Sequence, residues 1–556
     1  MRSGEPTSPA TVFPEQAVSR WDPVFLVLLA LAAALPFLGS FGLLEPDEGR
    51  YGQTGREMVQ AGDPWTPRFN GVEQFIKPPM TYWFAWPGYS LGGISEWTAR
   101  LPSAFSFGAS IVLVGWMGWV IGGRMRGWIA ALLFASMAEP YALGRQILMD
   151  PILSFWTTAS LACLVGVAMK RHPDLLRWLF FLCLGSGFLA KGPMAWVVPG
   201  SAAVFWTFFS KKDPQAKRLP WLFGVPVAVA VGLSWFFFQA LKYPPLWSYF
   251  LGYELVDRFG STIHGRHKPW WFFLPVLAVG ALPWSGFLVS LGKEAGRKIW
   301  SGEASNLGRA LAFGFLFSFA VVSLSGSKLL TYILPLFPLV ALGISWLLCQ
   351  GGSSAFGWWV TRGFFLAYGP ALWSLRFFWE DARLATPHPL YLGLVTLAGW
   401  AYVVWSLRPN AQRPRAKPAV IGALLCLCFW HGASLQMSRI NDLLGRQASV
   451  RSLGEMAKAS GASRFFIYRA HAGGFLFVLN QPVWFHLADA FIQIPPSKEA
   501  ADRIFDRPEE LFRGLERGEK VVGITLRHNF AKSFDSSRWS ILGRAGQFYL
   551  VEATAP

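Results

Sequence analysis

Long apolar runs recur along this sequence, and they constrain its fold more than any other feature. Examples are Phe25–Leu44, Ala104–Ile121, Leu219–Ala240 and Leu329–Leu348. Each run is long enough to cross a hydrocarbon core of about 30 Å as a single helix. Charged residues make up only 15% of the chain, whereas a soluble domain carries about 25%. The sequence therefore predicts a polytopic α-helical membrane protein with about 13 transmembrane helices.

The 556 residues carry a formal net charge of +18, and the basic residues fall at alternate connections between the apolar runs. Short cytoplasmic loops of membrane proteins are rich in Lys and Arg. We therefore predict a cytoplasmic N-terminus and, with an odd number of spans, an extracytoplasmic tail. Because lipid-spanning helices separate these loops, the pattern does not indicate nucleic-acid binding. The basic connections contain Arg124, Arg126, Lys170, Arg171, Lys211, Lys212, Lys293, Arg297, Arg408 and Arg413.

The tail has a different pattern, and we predict that residues 441–556 form a small extracytoplasmic α/β domain. The transmembrane domain then covers residues 1–440, including a long extracytoplasmic loop at residues 45–97. Short apolar segments indicate strands, and segments with helical spacing indicate amphipathic helices. The predicted strands are Arg464–Tyr468, Pro482–His486, Lys520–Leu526 and Gln547–Glu552, and the predicted tail helices are Val450–Ala459 and Glu499–Gly514.

Ionisable residues group at the ends of spans on the predicted extracytoplasmic side. A single charge at such a place is most often an interfacial anchor. Two carboxylate sites and several cations on one face suit instead a site that binds a phosphate and activates a nucleophile. Within the long loop, Thr54–Gln60 and Thr81–Tyr89 have the pattern of helices that lie along the interface. The charged set comprises Asp47, Glu48, Asp150, Lys191, His267 and Lys328.

A transporter or flippase is the alternative, from another functional class, to an enzyme with such a site. Transporters tend to place ionisable groups near the bilayer midplane, on broken helices. Here the charged residues lie at span ends and in a long loop, which favours an enzyme. A purely structural membrane protein would leave the grouping on one face without a purpose.

The same residues carry a family resemblance over about the first 340 residues. The chain resembles the polyprenyl-phosphate-sugar-dependent glycosyltransferases of the GT-C class. It is most similar to the bacterial lipid A aminoarabinose transferases, and more distantly to the protein O-mannosyltransferases. The matching motifs, in order, are Pro46-Asp47-Glu48-x-Arg50-Tyr51, Arg56-Glu57-Met58, Phe69-Asn70-Gly71, Lys77-Pro78-Pro79, Arg100-Leu101-Pro102-Ser103-Ala104, Asp150-Pro151, Lys191-Gly192 and Ser327-Lys328-Leu329-Leu330-x-Tyr332-Ile333-Leu334-Pro335.

The resemblance implies a role for each matching position. Asp47 corresponds to the principal catalytic carboxylate, with Glu48 beside it, and Asp150 corresponds to a second acidic residue. The positions that correspond to the lining of the carrier-phosphate cavity are Arg50, Tyr51, Lys77 and Tyr332, and those on its basic rim are Lys191 and Lys328.

One departure from the family pattern concerns a metal ion. The family text reads Glu-Lys-Pro-Pro, whereas this chain has Ile76-Lys77-Pro78-Pro79. The resemblance implies that this Glu and a His matched by His267 hold a divalent cation. With Ile76 in place, the two-ligand site is lost unless Glu73 substitutes. Lys and Arg can neutralise phosphate instead.

The predicted reaction transfers a sugar from a polyprenyl (undecaprenyl) phosphate carrier to an acceptor outside the cytoplasm. Lipid A or another envelope glycolipid is the first acceptor, and a protein or a polysaccharide is the alternative. Asp47 either deprotonates a hydroxyl acceptor or orients the acceptor. The expected location is the inner (plasma) membrane, and no cofactor other than that divalent cation is implied.

Overall fold

The computed structural model describes residues 17–210, 214, 219–252, 268–350, 354–378, 388–408, 416–489 and 493–556. Within these residues, eight helices are long and apolar enough to cross a membrane, and three apolar helices are shorter. The chain is thus a polytopic helical membrane protein, while the predicted total of 13 spans stays a prediction. The eight helices are Glu96–Ser136, Met149–Ala168, Pro173–Lys191, Trp221–Lys242, Asn306–Leu324, Leu330–Cys349, Pro389–Ser406 and Lys417–Gln436, and the three shorter ones are Asp22–Ala34, Met194–Phe209 and Trp270–Gly280.

The first apolar run is not one helix, which corrects the prediction for Phe25–Leu44. Helix α1 covers Asp22–Ala34 and ends just before Leu35 and Pro36. Leu35 still donates its backbone N–H to the Leu31 carbonyl oxygen, but Pro36 has no N–H with which to continue the helix. The chain from Leu35 to Gly42 instead supplies carbonyl groups to side chains of later elements.

The next membrane helix, Glu96–Ser136, is interrupted by non-helical backbone at Gly122 and Gly123. The φ of Gly123 is +80°, a value that glycine adopts without strain. After this break the second half packs against the first, and the Cα of Gly127 lies only 2.8 Å from where a Cβ on Gly118 would be. Gly118 and Gly127 therefore allow the two halves to approach closely as a helical hairpin, as small residues do in membranes.

Two antiparallel helices position the later site residues. Helix Met149–Ala168 is followed, after a short turn, by helix Pro173–Lys191. They make one of the most extensive helix pairs in the protein, and their pairing brings the first turn of one beside the last turn of the other. Farther along the chain, the predicted span Leu329–Leu348 begins as a 3₁₀ helix, Leu330–Leu336, and continues as the α-helix Phe337–Cys349.

The long first loop is folded. Helix α2 covers Asp47–Gln60, a hairpin pairs β1 (Arg68–Phe69) with β2 (Val72–Glu73), and helix α3 covers Met80–Gly92. The two predicted interfacial helices lie within α2 and α3, and each helix begins before its predicted start. The hairpin turn is Asn70-Gly71, where both residues have positive φ, 55° and 78°. This dipeptide is typical of two-residue hairpin turns.

The tail forms a six-stranded sheet with strands β3 Arg464–Tyr468, β4 Trp484–His486, β5 Ile504–Phe505, β6 Lys520–Leu526, β7 Ser540–Ala545 and β8 Phe548–Thr554. Their order in the sheet is β5-β4-β3-β6-β8-β7. Neighbouring strands are parallel from β5 to β6 and antiparallel from β6 to β7. The tail α-helices are Arg451–Ala459, Gly473–Leu479, Lys498–Ala501 and Arg527–Ser533.

The predicted helix Glu499–Gly514 is wrong. That segment contains the end of a one-turn helix, the edge strand β5 and a 3₁₀ helix over Pro508–Phe512. Pro508 cannot occupy a helix interior without removing a hydrogen bond and clashing with the preceding turn. Helical spacing of apolar residues was therefore misleading in this segment.

The tail and the first loop share their apolar cores. Phe69 of the hairpin is buried among tail residues such as Leu476 and Leu479. In return, Phe477 of the tail is buried beside Met58 and Tyr89 of the loop. This exchange places the tail on the same face of the protein as the first loop.

The remaining described helices complete the membrane part. They are Ala138–Leu143, Met194–Phe209, Trp221–Lys242, Leu246–Ser248, Phe273–Gly280, Phe287–Trp300, Asn306–Leu324, Ala355–Phe378, Pro389–Ser406 and Ala416–Gln436.

Candidate functional site

The first part of the site lies at the start of α2. The Asp47 side chain is 49% exposed, and its Oδ1 accepts a hydrogen bond of 2.6 Å from the Arg50 guanidinium. The same guanidinium donates to Tyr51 Oη at 3.1 Å and lies over the Tyr51 ring. One helical turn thus presents a carboxylate, a cation and a phenol together.

The second part lies where the two antiparallel helices end. Asp150 is in the first turn of its helix, and Lys191 is the last residue of the next. Lys191 Nζ donates to Asp150 Oδ1 at 2.5 Å and lies 4.8 Å from the centroid of the Tyr332 ring. An anion at a helix start and a cation at a helix end are both favoured by the helix dipole.

Tyr51 connects the two parts electrostatically. Burial and the carboxylates of Asp47 and Asp150 raise the pKa of Tyr51 to about 12, against the opposite effect of Arg50. Tyr51 is also buried in the same apolar cluster as Met149, the residue before Asp150. The structure therefore brings together Asp47, Arg50, Tyr51, Asp150, Lys191 and Tyr332, all of which the sequence motifs predicted.

The other two predicted lysines lie at the starts of elements. Lys77 is half-buried, three residues before α3 begins. Lys328 is buried, and its ammonium donates to the carbonyl oxygen of Ser325 at 2.5 Å. Their contact with a carrier phosphate stays a prediction.

Glu48 has a different environment from Asp47. Only 2% of its side chain is exposed, and it forms a two-pronged ion pair with Arg100, whose side chain is fully buried. The Glu48 carboxylate also accepts hydrogen bonds from the backbone N–H groups of Leu44 and Ile147. Because Glu48 joins several elements and is shielded from the exposed side of α2, its environment favours a structural role, and the catalytic role that the resemblance implies stays a prediction.

Three buried charged residues had no role in the sequence prediction. Arg100 donates to Glu48 and to the carbonyl groups of Leu38, Phe41 and Gly42. Glu139 is 7% exposed and is an electrostatic neighbour of Asp150. Glu45 is 2% exposed and contacts the tail. Pairing of Arg100 could have been predicted from the sequence, because burying a charged residue beside a long apolar segment is energetically unfavourable unless the charge is paired.

The described residues contain no group of three His, Cys, Asp or Glu side chains that could hold a metal ion. His267 lies outside the described residues. Glu73, the substitute ligand considered from the sequence, accepts a hydrogen bond of 2.9 Å from Tyr243 Oη and lies near Arg68. Ile76 has no ligand atom, so the residues here do not reproduce the family's Glu–His pair.

The chain is similar to known transferases that use lipid-phosphate-linked sugars. A family model described as dolichyl-phosphate-mannose-protein mannosyltransferase matches residues 24–250. The chain is 32% identical over 326 residues to undecaprenyl phosphate-alpha-4-amino-4-deoxy-L-arabinose arabinosyl transferase 1 of Sodalis glossinidius, covering 58% of this chain and 57% of that protein. It is 31% identical over 421 residues to transferase 2 of the same description from Pseudomonas fluorescens, covering 72% of this chain and 70% of that protein.

The fold agrees over nearly the whole chain with a solved structure, ArnT from Cupriavidus metallidurans bound to undecaprenyl phosphate. The TM-score is 0.76 at 21% sequence identity, and the match covers 95% of this chain and 97% of that one. This likeness shows a common fold. Together with the sequence identity over more than two thirds of the Pseudomonas fluorescens protein, it leads to the conclusion that this chain belongs to the undecaprenyl phosphate-aminoarabinose arabinosyl transferase family of membrane glycosyltransferases.

Proposed function

We propose that this protein transfers a sugar from an undecaprenyl phosphate carrier to an acceptor at the extracytoplasmic face of the inner membrane. Two relatives are named for transfer of an undecaprenyl phosphate-linked aminoarabinose. Lipid A or another envelope glycolipid is the first acceptor that we propose. The observation that carries the proposal is the meeting of Asp47, Arg50 and Tyr51 with the Asp150–Lys191 pair.

In the proposed chemistry, cations of the site act on the carrier phosphate, and the Asp47 carboxylate acts on the acceptor or on the sugar. The bond between the sugar's anomeric carbon and the carrier phosphate oxygen breaks, and a new bond forms to the acceptor oxygen. Negative charge develops on the departing phosphate, and cations such as Arg50, Lys77 and Lys191 stabilise it. Asp47 takes the proton of a hydroxyl acceptor, or, when the acceptor is already an anion, orients it and stabilises positive charge on the sugar.

A protein acceptor is the second candidate. The matching family model is described as a protein mannosyltransferase, and the match includes Asp47, Lys77, Asp150 and Lys191. Both candidate reactions use a lipid-phosphate-linked donor, and they differ in the acceptor, a glycolipid or a protein. A lipid-linked sugar transporter is disfavoured, because the charged groups lie at helix ends and not at a midplane break.

The direct test supplies purified protein in nanodiscs with undecaprenyl phosphate-linked aminoarabinose and lipid A, and follows donor consumption and the acceptor mass. We expect the acceptor to gain one aminoarabinose. Lys77→Ala should raise the donor KM and lower kcat together, because the ammonium acts on bound donor and on departing phosphate. Lys242→Ala, which removes an exposed lysine that contacts Thr66, is the matched control. Donor that stays intact with lipid A, protein and polysaccharide acceptors would contradict the proposal.

We propose an orientation with the N-terminus in the cytoplasm and the tail outside. In support, Asp22 near the N-terminus pairs with Arg124 of a basic connection, and basic connections are typical of the cytoplasmic side. In a variant without native cysteines, Glu516→Cys should react with an impermeant maleimide in intact cells, and Arg297→Cys should react only after lysis. Labelling of position 297 but not position 516 in intact cells would reverse the orientation.

A further proposal is that metal has little part in the reaction. Because Ile76 supplies no ligand and Glu73 is hydrogen-bonded to Tyr243, incubation with EDTA should change donor consumption little. His267→Ala should be milder than Lys77→Ala. The measurement is donor turnover alongside the metal content of the purified protein. Inhibition by EDTA that added Zn²⁺ reverses would show that other residues complete a metal site.

A further inference from the structure

Glu45, just before helix α2, connects the start of that helix to the tail. Its side chain is 2% exposed. Its two carboxyl oxygens accept hydrogen bonds from the backbone N–H groups of Gly474, at 2.5 Å, and Gly473, at 3.1 Å. These glycines begin the tail helix Gly473–Leu479. A residue two positions before Asp47 is therefore held by backbone more than 400 residues away in the sequence.

Glycines on both sides permit this contact. A Cβ on Gly49 would lie 2.3 Å from the backbone nitrogen of Gly474, and a Cβ on Gly473 would lie 2.3 Å from the carbonyl carbon of Gly49. Both distances are shorter than van der Waals contact allows. The first turn of α2 and the start of the tail helix therefore meet backbone to backbone, and Glu45 lies in the space between them.

The contact continues along α2. Arg56 donates to the carbonyl oxygen of Phe477 at 2.6 Å. At the far end of the helix, Gln60 donates to Asn480 at 3.2 Å. On another side of the first turn, Glu48 is fixed by Arg100. The start of α2 is thus held both by the membrane helices and by the tail.

We infer that Glu45 is a positioning residue, through which the tail domain sets the direction of the first turn of α2 and hence of Asp47 and Arg50. Glu45 is buried and contacts the tail, so it acts through that turn and not on the substrate. The inference rests on the proposed function only in giving Asp47 and Arg50 their catalytic and phosphate-binding roles. It gives the tail a task in the reaction that its fold alone does not indicate.

The electrostatic environment agrees with this role. Burial and the neighbouring carboxylates of Glu48 and Asp47 raise the pKa of Glu45 to about 8, against the two backbone hydrogen bonds, which favour the charged form. The N–H groups of Gly473 and Gly474 are therefore the groups that stabilise this buried carboxyl group, and it loses them if the tail helix moves away.

The test disrupts the contact from each of its two sides, in the full-length protein in nanodiscs. Glu45→Ala removes the acceptor, and Gly474→Ala places a methyl group 2.6 Å from the Glu45 Oε1 position. Hydrogen exchange of the Gly49 and Arg50 amides reports on the first turn without any substrate. Each single variant should speed this exchange about tenfold or more, since two backbone hydrogen bonds are lost or displaced. Glu45→Gln, which keeps one acceptor oxygen, should give an intermediate rate.

The double variant Glu45→Ala/Gly474→Ala should exchange no faster than Glu45→Ala, because the methyl group then has no carboxyl group to displace. Gln60→Ala is the matched control. It breaks a tail contact about 20 Å along the same helix, and it should leave the first-turn exchange at the wild-type rate.

Kinetic measurements connect the contact to the reaction. With undecaprenyl phosphate-linked aminoarabinose as donor, Glu45→Ala and Gly474→Ala should lower kcat per folded molecule about tenfold and also raise the donor KM, because Asp47 and Arg50 are displaced together, whereas Gln60→Ala should change neither. Unchanged exchange in both single variants, or unchanged kcat despite faster exchange, would overturn the inference. A wild-type protein that fails to consume this donor would count against the proposed function alone, because exchange still measures whether the tail holds the first turn.

Discussion

Asp47→Asn is expected to lower turnover by about 10²–10⁴-fold, the usual contribution of a general acid–base group, and to leave the fold intact. The substitution keeps the size of the side chain and one oxygen that can accept the Arg50 hydrogen bond. It removes the negative charge that a hydroxyl acceptor or a developing positive sugar requires. The measurement is kcat for donor consumption by purified variants with matched thermal unfolding profiles.

Asp63→Asn is the control for this prediction. Asp63 is also a partly exposed carboxylate of the first loop that pairs with an arginine, Arg68. It is not among the residues that meet around Tyr51, so its substitution should leave kcat near the wild-type value. If Asp47→Asn turned over as fast as Asp63→Asn, the catalytic assignment of Asp47 would be wrong.

Arg100→Ala is expected to destabilise the protein by about 3–5 kcal/mol, because it leaves the buried Glu48 carboxylate without its cation. Arg100 also donates to three backbone carbonyl groups between Leu38 and Gly42, which fix the chain after α1. The loss should appear as a lower midpoint in detergent denaturation and a lower yield of folded protein.

Arg297→Ala is the comparison for Arg100→Ala. Its ion pair with Glu294 joins two side chains that are 55% and 32% exposed, and exposed pairs contribute about 0–1 kcal/mol.

Glu48→Gln should resemble Arg100→Ala in lowering stability more than kcat per folded molecule. A stable Glu48→Gln variant with no turnover would instead restore the catalytic role that the sequence motif predicted.

The sequence determined the local elements and the order of the site motifs. Arg464–Tyr468 and Lys520–Leu526 form strands at their predicted bounds, because short β-branched and aromatic segments between turns have few alternatives. Asp150 and Lys191 could be placed at one membrane face from the length of the apolar runs between them. Local pattern failed over Glu499–Gly514, where packing at the sheet edge and Pro508 outweighed helical spacing.

Only the tertiary structure decided the different environments of the neighbouring carboxylates. Glu45, Asp47 and Glu48 lie within four positions of one another in the sequence, and the local sequence pattern does not distinguish their environments. In the fold, Glu45 faces the tail, Asp47 is exposed beside Arg50, and Glu48 is buried against Arg100. The cause is physical: the environment of a carboxylate is set by partners far away in the sequence, here Gly474 and Arg100. Local pattern determines that a charge stands at a helix start, whereas burial and pairing determine whether it holds the structure or meets the substrate.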